Sequence, residues 1–140
     1  MKSILTIFSN CAGHTHGSHI TYRAGETAVA RYRLVKLSPD DFSVAQAGAD
    51  DGPIGISTDE AAPGEMLDVA LLCSSDTLSV KVSGPVQAGD ILVPAADGCA
   101  QTLPTADGTY LQIGIALKNA ATASLVEIMP CLPIPHTINN

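Results

Sequence analysis

The chain is poor in aromatic and in charged residues. It has no tryptophan, aromatic residues make up 4% of its 140 positions, and charged residues make up 15%, against about a quarter in ordinary globular domains. No apolar run approaches the roughly 18 residues that a transmembrane helix requires. The net charge of −7 is the opposite of the basic excess typical of general nucleic-acid binders. We therefore expect neither a membrane nor a nucleic acid as a partner.

Catalytic and cofactor-binding motifs are also missing. The sequence has no P-loop, no dinucleotide-binding glycine motif, no zinc-protease helix and no nucleophile elbow. The acidic pairs Asp40-Asp41 and Asp50-Asp51 lie beside turn residues, and adjacent side chains on an extended chain point apart, so neither pair suits acid–base catalysis. The sequence predicts that the protein is not an enzyme and holds no cofactor.

The cysteines give no sign of a metal site or of secretion. Cys11, Cys73, Cys99 and Cys131 are far apart and form no C-x-x-C pair, so their spacing does not resemble a zinc site. Scattered thiols favour a reducing compartment, although even pairing into disulfides stays open. The apolar run after Lys2 is too short for the hydrophobic region of a signal peptide. We therefore expect synthesis in a cytoplasm.

A group of metal-ligating residue types lies near the N-terminus, at Cys11, His14, His16 and His19. His14 and His16 would share one face of a strand, and Cys11 or His19 would complete a site with three or four ligands. The intervening glycines and threonine are equally typical of an exposed loop with solvent-facing or interface histidines. We favour the loop and predict no bound metal.

The most informative feature is an internal repeat. Ile54-Gly55-Ile56 recurs 59 residues later as Ile113-Gly114-Ile115. Three more segments recur at an offset of 59 or 58: Ala61-Ala62 with Ala120-Ala121, Leu67-Asp68-Val69 with Val126-Glu127-Ile128, and Leu34-Val35 with Leu92-Val93. Two copies, at about residues 24–72 and 88–130, are too few for a solenoid but can close on each other as a compact barrel or sandwich.

The local patterns indicate strands and turns. Apolar and polar residues alternate at 67–71, 77–83 and 126–128, and a strand at 28–37 changes phase near Leu34, which predicts a bulge. No window shows helical spacing of apolar residues free of Gly and Pro. The fold class predicted is therefore all-β, a compact β-barrel or β-tulip-like domain built from two pseudo-repeated units with extended N- and C-terminal arms.

Glycines mark the expected turns and close contacts. Three triads precede strands: Ala24-Gly25-Glu26, Pro63-Gly64-Glu65 and Ala88-Gly89-Asp90. In each, the glycine is suited to a positive φ and the acid to accepting local backbone hydrogen bonds. Gly55 and Gly114 lie inside strands, where a glycine marks a bulge or a close approach of another backbone.

Both termini lie outside the repeat, which occupies a β domain at residues 23–130. Residues 1–22 carry the apolar side chains Ile4, Leu5, Ile7 and Phe8, and form either an attachment arm or the first strand of the barrel. Residues 131–140 are rich in proline, which excludes a helix and predicts a polyproline-like tail that covers its own barrel or a neighbouring subunit.

The charge is unevenly distributed along the chain. Residues 1–36 hold five basic residues and one acid, whereas the other 104 residues hold two basic residues and 13 acids. A basic first quarter beside an acidic body favours docking on an acidic partner or on a neighbouring copy. Solvated charges without any partner are an equally good interpretation.

The order of these segments resembles the small capsid decoration, or cement, proteins of tailed bacteriophages. The resemblance covers about residues 20–130 and rests on the sequence Gly52-Pro53-Ile54-Gly55-Ile56-Ser57, then Ala61-Ala62-Pro63-Gly64-Glu65, followed by their second copy. The His-rich N-terminal segment and the Pro-rich tail depart from it.

The resemblance implies a structural virion protein, made in the host cytoplasm and located on the outer surface of an icosahedral head. It implies a homotrimer that binds the major capsid protein and stabilises the shell against internal DNA pressure. We expect the capsid or subunit interface to include eight residues: Ile4, Leu5, Ile7, Phe8, His14, His16, His19 and Arg23. The alternative is a receptor- or glycan-binding β module such as the base of a head fibre.

Overall fold

The computed structural model describes residues 18–40 and 42–140, and this part of the chain is built from strands. The ten strands are β1 (His19–Ala24), β2 (Leu34–Leu37), β3 (Ser43–Gln46), β4 (Gly55–Ser57), β5 (Met66–Leu71), β6 (Leu78–Lys81), β7 (Ile91–Pro94), β8 (Ala100–Thr102), β9 (Gly108–Ala116) and β10 (Leu125–Ile138). One 3-10 turn, Ala96–Gly98, connects β7 and β8. Over the described ranges, no helix has the length and apolar character needed to cross a membrane.

The strands form two units with one strand order. In the first unit, β1 to β5 close into a barrel in the order β1-β3-β2-β4-β5. In the second unit, β6 to β10 form a sheet in the order β6-β10-β9-β7-β8. The barrel closes through a short parallel pairing of β1 with β3, and a parallel bridge between Val82 and Ala100 stands at the corresponding place in the second unit. The all-β fold and its duplication are confirmed.

Strand register defines which residues correspond. Gly55 pairs with Leu71 on one side and with Val35 on the other, whereas Gly114 pairs with Pro130 and with Leu92. The structural offset is therefore 59 for β4 and β5, as the sequence predicts. For β2 it is 57, so Val35 corresponds to Leu92 and the sequence match at 58 is out of register by one residue.

The interiors of the two units use corresponding positions. The barrel interior holds nine residues: Tyr22, Ala24, Val29, Val35, Val44, Ile54, Ala61, Leu67 and Val69. The residues that follow them by 56 to 59 positions all belong to the core of the second unit: Val80, Val82, Val86, Leu92, Ala100, Ile113, Ala120, Val126 and Ile128. Two copies of one packing arrangement thus account for most of the buried apolar side chains.

The units share a core and form one body. Leu34, Ile56 and Leu72 face out of the barrel and belong to the same buried cluster as the interior of the second unit. Polar bonds reinforce this junction: Arg33 Nη1 donates to the carbonyl of Asp97 at 2.6 Å, and the Gly98 amide donates to a carbonyl of the barrel at 2.8 Å. Because the contact is both apolar and hydrogen-bonded, the relative position of the units is well defined.

Two of the three predicted glycine turns are confirmed. Gly64 and Gly89 have φ of 81° and 93°, and the acid after each accepts a backbone bond, from Ala62 to Glu65 at 2.7 Å and from Gln87 to Asp90 at 2.9 Å. The prediction for Gly25 is wrong. Its φ is not positive, and its amide donates to the Val44 carbonyl of β3 at the parallel closure of the barrel.

The glycines of β4 and β9 mark a close approach of backbones, as predicted. A Cβ atom at Gly55 would lie 2.5 Å from the carbonyl oxygen of Ala70, and one at Gly114 would lie 2.6 Å from the carbonyl oxygen of Met129. These contacts are the same contact in the two units. A side chain at either position would therefore force the neighbouring strand to move.

The predicted strand at 28–37 is shorter than expected, because β2 begins only at Leu34. Tyr32 has a φ of 62° and lies in a turn. The buried Ser57 holds this turn: its hydroxyl donates to the carbonyl of Ala30 at 2.6 Å and accepts from the amide of Arg33 at 3.0 Å. The change of phase near Leu34 is thus the end of a turn and not a bulge.

The Pro-rich C-terminal segment is extended, but it is not polyproline-like. It forms the second half of β10, where Ile134–Ile138 pairs with residues 108–112 of β9 after a bulge. The Glu127 carbonyl accepts from the amide of Leu117, just after β9, so the alternation of backbone groups along the strand turns those of Pro130 toward β6. Because Leu78, the partner of Ile128, is the first residue of β6, the described part of β6 does not extend to Pro130, and no ladder bond from the proline is required on that side.

Candidate interaction surfaces

Only two of the eight predicted interface residues lie in the part of the chain that the structure describes. Ile4, Leu5, Ile7, Phe8, His14 and His16 lie outside the described residues. His19 and Arg23 both lie on β1, which pairs with β5 along five residues. The last residues of segment 1–22 are thus part of a strand of the barrel.

His19 has a partner within its own barrel. Its Nδ1 lies 2.5 Å from Oδ2 of Asp68 on β5, and the same carboxylate oxygen accepts from the Thr58 hydroxyl at 2.7 Å. This carboxylate places the imidazole on the barrel surface. Among the described residues no group of three potential ligands is close enough to hold a metal ion.

Part of the basic charge is neutralised by the acidic body of the same chain. Lys36 Nζ lies 2.9 Å from Asp51 Oδ2, and Arg31 lies 3.9 Å from Asp59. Hydrogen bonds from Lys36 and from the backbone hold the pKa of Asp51 below its usual value. Arg23 is exposed and forms no ion pair with the described residues, so it is a cation available to a partner.

Exposed large hydrophobic residues form two groups. Leu37, Phe42 and Met66 belong to the first unit. The second group lies on or next to β9 and β10: Leu117, Leu125, Met129, Leu132 and Ile134. A folded monomer rarely exposes so many large apolar side chains on neighbouring strands, and such patches mark interaction surfaces.

The outer face of the second sheet carries a continuous apolar row. Ile91 of β7 pairs with Ile115 of β9, and Ile115 pairs with Met129 of β10, so the three side chains lie side by side across three strands. Ile91 and Ile115 are half-buried and Met129 is 52% exposed. We call these three residues the outer row.

The grooves of the barrel offer less to a ligand. A groove of about 470 Å³ is lined by small apolar residues with Glu60 and Glu65, and another of about 380 Å³ has Glu26 and Asp40 at its rim. Their described linings contain no histidine, cysteine or basic side chain.

Sequence reasoning overlooked the outer row, because its evidence is a difference between the repeats. At the offset of 59, Met129 stands where the first unit has Ala70. A large flexible side chain at a position that is small in the other copy is a signal that a residue-by-residue comparison of the repeats would have found. Phe42 was missed because its exposure depends on the loop between β2 and β3.

Comparison with known proteins agrees with this description. A family model described as phage cement protein matches residues 14–129. The crystal structure of the head fiber gp8.5 N base in bacteriophage phi29 is similar, with a TM-score of 0.66, 19% sequence identity, and coverage of 89% of this chain and 99% of that chain. No curated protein matches the sequence. The likeness to the head fiber base shows the shared fold, and the match over most of the chain shows that this protein belongs to the phage cement protein family, structural components of the virion at the outer surface of the capsid.

Proposed function

We propose that this protein decorates an icosahedral phage head as a homotrimer that binds the major capsid protein and stabilises the shell against internal DNA pressure. Besides the family, the observation that carries the proposal is the apolar surface of β9 and β10. The core of each unit is already filled, so these side chains are not needed inside the monomer. Contact with neighbouring copies or with the capsid would remove them from water.

The N-terminal segment is a second element of the proposed attachment. Residues 1–17 precede β1, and Ile4, Leu5, Ile7 and Phe8 carry most of their apolar surface. Burying four such side chains contributes roughly 6–12 kcal/mol before the cost of ordering the chain, which is about 1–2 kcal/mol per residue. One segment alone is therefore marginal, whereas three segments on a trimer bind together with far higher avidity.

Co-sedimentation with heads tests this function. Purified protein is mixed with heads that lack it, and the mass bound per head is measured together with the oligomeric state in solution and on the head. The proposal predicts saturable binding in multiples of three. Failure to bind heads, or binding as single copies, would contradict it. A variant lacking residues 2–17 is expected to fold and trimerise but to bind heads more weakly.

The base of a head fibre is a second candidate, because the similar structure is itself described as a head fiber base. A fibre base would carry a further binding module, whereas a cement protein acts through its own contacts with the shell. Electron microscopy of decorated heads, which shows whether density extends outward beyond the two units, separates these functions. A glycan-binding role has less support. Sugar sites usually present several exposed aromatic rings, whereas among the described aromatic residues only Phe42 is exposed and the tyrosines are half-buried.

A further inference from the structure

We infer that the outer row is one half of a contact between copies, and that the first unit of a second copy covers it. This rests on the proposed trimer and adds the surface by which the copies meet. The contact repeats between chains the packing that already joins the two units within one chain.

The argument begins with the row that corresponds to the outer row in the barrel. Leu34 pairs with Ile56, and Ile56 pairs with Ala70. These residues stand 57 or 59 positions before Ile91, Ile115 and Met129, on the same face of corresponding strands. They are 0%, 1% and 0% exposed, and Leu34 and Ile56 belong to the buried cluster that the two units share.

The outer row therefore occupies the same position in the second unit as this buried row does in the first, but no other part of the described chain covers it. The first unit presents its row to the second unit, whereas the second unit presents its row to solvent. Leu103 and Cys131, half-buried beside the outer row, correspond to Ala47 and Leu72, which are fully buried at the internal junction. The difference in burial thus extends over a whole face.

The surface that would cover the outer row can be inferred from the surface that covers the corresponding row of the barrel. On the second unit, the elements that meet the barrel include Lys81 of β6 and the turn at Gly98. Their counterparts on the first unit are Arg23 and Phe42, 58 and 56 positions earlier, and both are exposed. The first unit of another copy thus presents the same kind of surface, with Phe42 adding an apolar side chain where the second unit has a glycine.

A contact of this kind is heterologous, because the outer row of one copy meets a different surface on the next. Heterologous contacts close into rings when the rotation allows it, which agrees with a cyclic trimer. An isologous dimer would instead require the outer row to meet itself.

Two methionines provide a test on the unmodified protein. Met129 and Met66 are 52% and 56% exposed in the single chain. Met66 corresponds to Leu125, which also stays exposed beside the internal junction, so the repeat predicts that Met66 remains accessible between copies. Oxidation by dilute peroxide, followed by mass spectrometry, should modify Met129 about fivefold or more slowly than Met66 in the trimer, because packed interface cores exclude water. Equal rates would overturn the inference.

Charge substitutions give an independent test. Met129→Glu should raise the dissociation constant of the trimer by about 100-fold or more, since it places an unpaired charge in the contact. Leu125→Glu, on the same strand and face but outside the predicted contact, should leave the trimer intact. Circular dichroism checks that both variants fold. If Met129→Glu is folded and still trimeric, the inference is wrong.

Mixing variants tests the heterologous geometry. Phe42→Asp should also yield monomers, but through the opposite half of the contact. A mixture of Met129→Glu and Phe42→Asp retains one intact pair of surfaces and should form a heterodimer, as measured by native mass spectrometry. No heterodimer would refute the geometry. Wild-type protein that is monomeric on heads would instead contradict the proposed trimer itself, so the two failures are distinguishable.

Discussion

Substitution of Gly55 by alanine tests the close approach on which the packing of β4 against β5 depends. The added Cβ would lie 2.5 Å from the Ala70 carbonyl oxygen and 2.6 Å from a methyl of Val69. Both atoms belong to the packed barrel, so the strands must separate by several tenths of an ångström. Overpacking of this kind costs about 1–3 kcal/mol.

A smaller effect of opposite sign comes from the unfolded chain. Replacing glycine by alanine restricts the unfolded state and stabilises the fold by about 0.4–1 kcal/mol where the backbone permits alanine. The net loss for Gly55→Ala is therefore about 0–2.6 kcal/mol, with a midpoint of about 1.3 kcal/mol. For a chain of this length, about 1 kcal/mol corresponds to a shift of roughly 2–5 °C in the melting temperature.

Gly84→Ala is the matched control, because its Cβ would have no neighbour within 4 Å and its φ is not in the left-handed region. Melting temperatures from calorimetry and free energies from urea titration should show a loss for Gly55→Ala and no loss for Gly84→Ala. Equal stability of the two variants would refute the account of the β4–β5 contact.

Three further predictions follow from other contacts. Gly98→Ala should destabilise the fold by about 1–3 kcal/mol more than Gly89→Ala. Both glycines have a positive φ, but an added Cβ at Gly98 would lie 2.8 Å from the Cβ of Arg33, whereas one at Gly89 would have no neighbour within 4 Å; equal losses in urea titration would refute the role of Gly98 at the junction. The pKa of Asp51 is lowered from 3.8 by its partners, so the contribution of Asp51 to the stability of the fold is complete above pH 3.8 and declines as the pH falls through the lower folded pKa. Asp51→Asn should reduce the free energy of unfolding by under about 1 kcal/mol at neutral pH and should weaken its pH dependence below about pH 4. An unchanged acid titration would contradict this. A maleimide reagent should label the exposed Cys73 quickly and leave the buried Cys99 intact in the folded protein; rapid labelling of Cys99 would show that the second unit opens.

The sequence predicts the duplicated fold because repeats and alternation are local signals. The offset of 59 between Ile54-Gly55-Ile56 and its second copy correctly identifies corresponding strands, and both glycines occupy the predicted kind of contact. The turn at Tyr32 was missed because it depends on the hydroxyl of Ser57, which lies on a strand distant in sequence.

The surfaces were harder to predict than the core. Exposure of the outer row depends on which unit covers the other. The alternation of apolar and polar residues is similar in both copies and does not predict this asymmetry, whereas the difference between Ala70 and Met129 at the offset of 59 does indicate it. His19 and Arg23, predicted as interface residues, lie on one strand, β1, and the partner of His19, Asp68, is 49 residues away. The Pro-rich end was interpreted from its composition, whereas its pairing with β9 depends on the extension of that strand.

Mechanical reinforcement of the head is the central claim, and it is measured most directly by heating DNA-filled heads with and without this protein. Heads lacking the protein are divided in two, one half is saturated with purified protein, and DNA release is followed by dye fluorescence as the temperature rises. We predict that decorated heads release their DNA at a higher temperature, and that the increase follows the number of bound copies. Binding at full occupancy without any change in the release temperature would contradict the account.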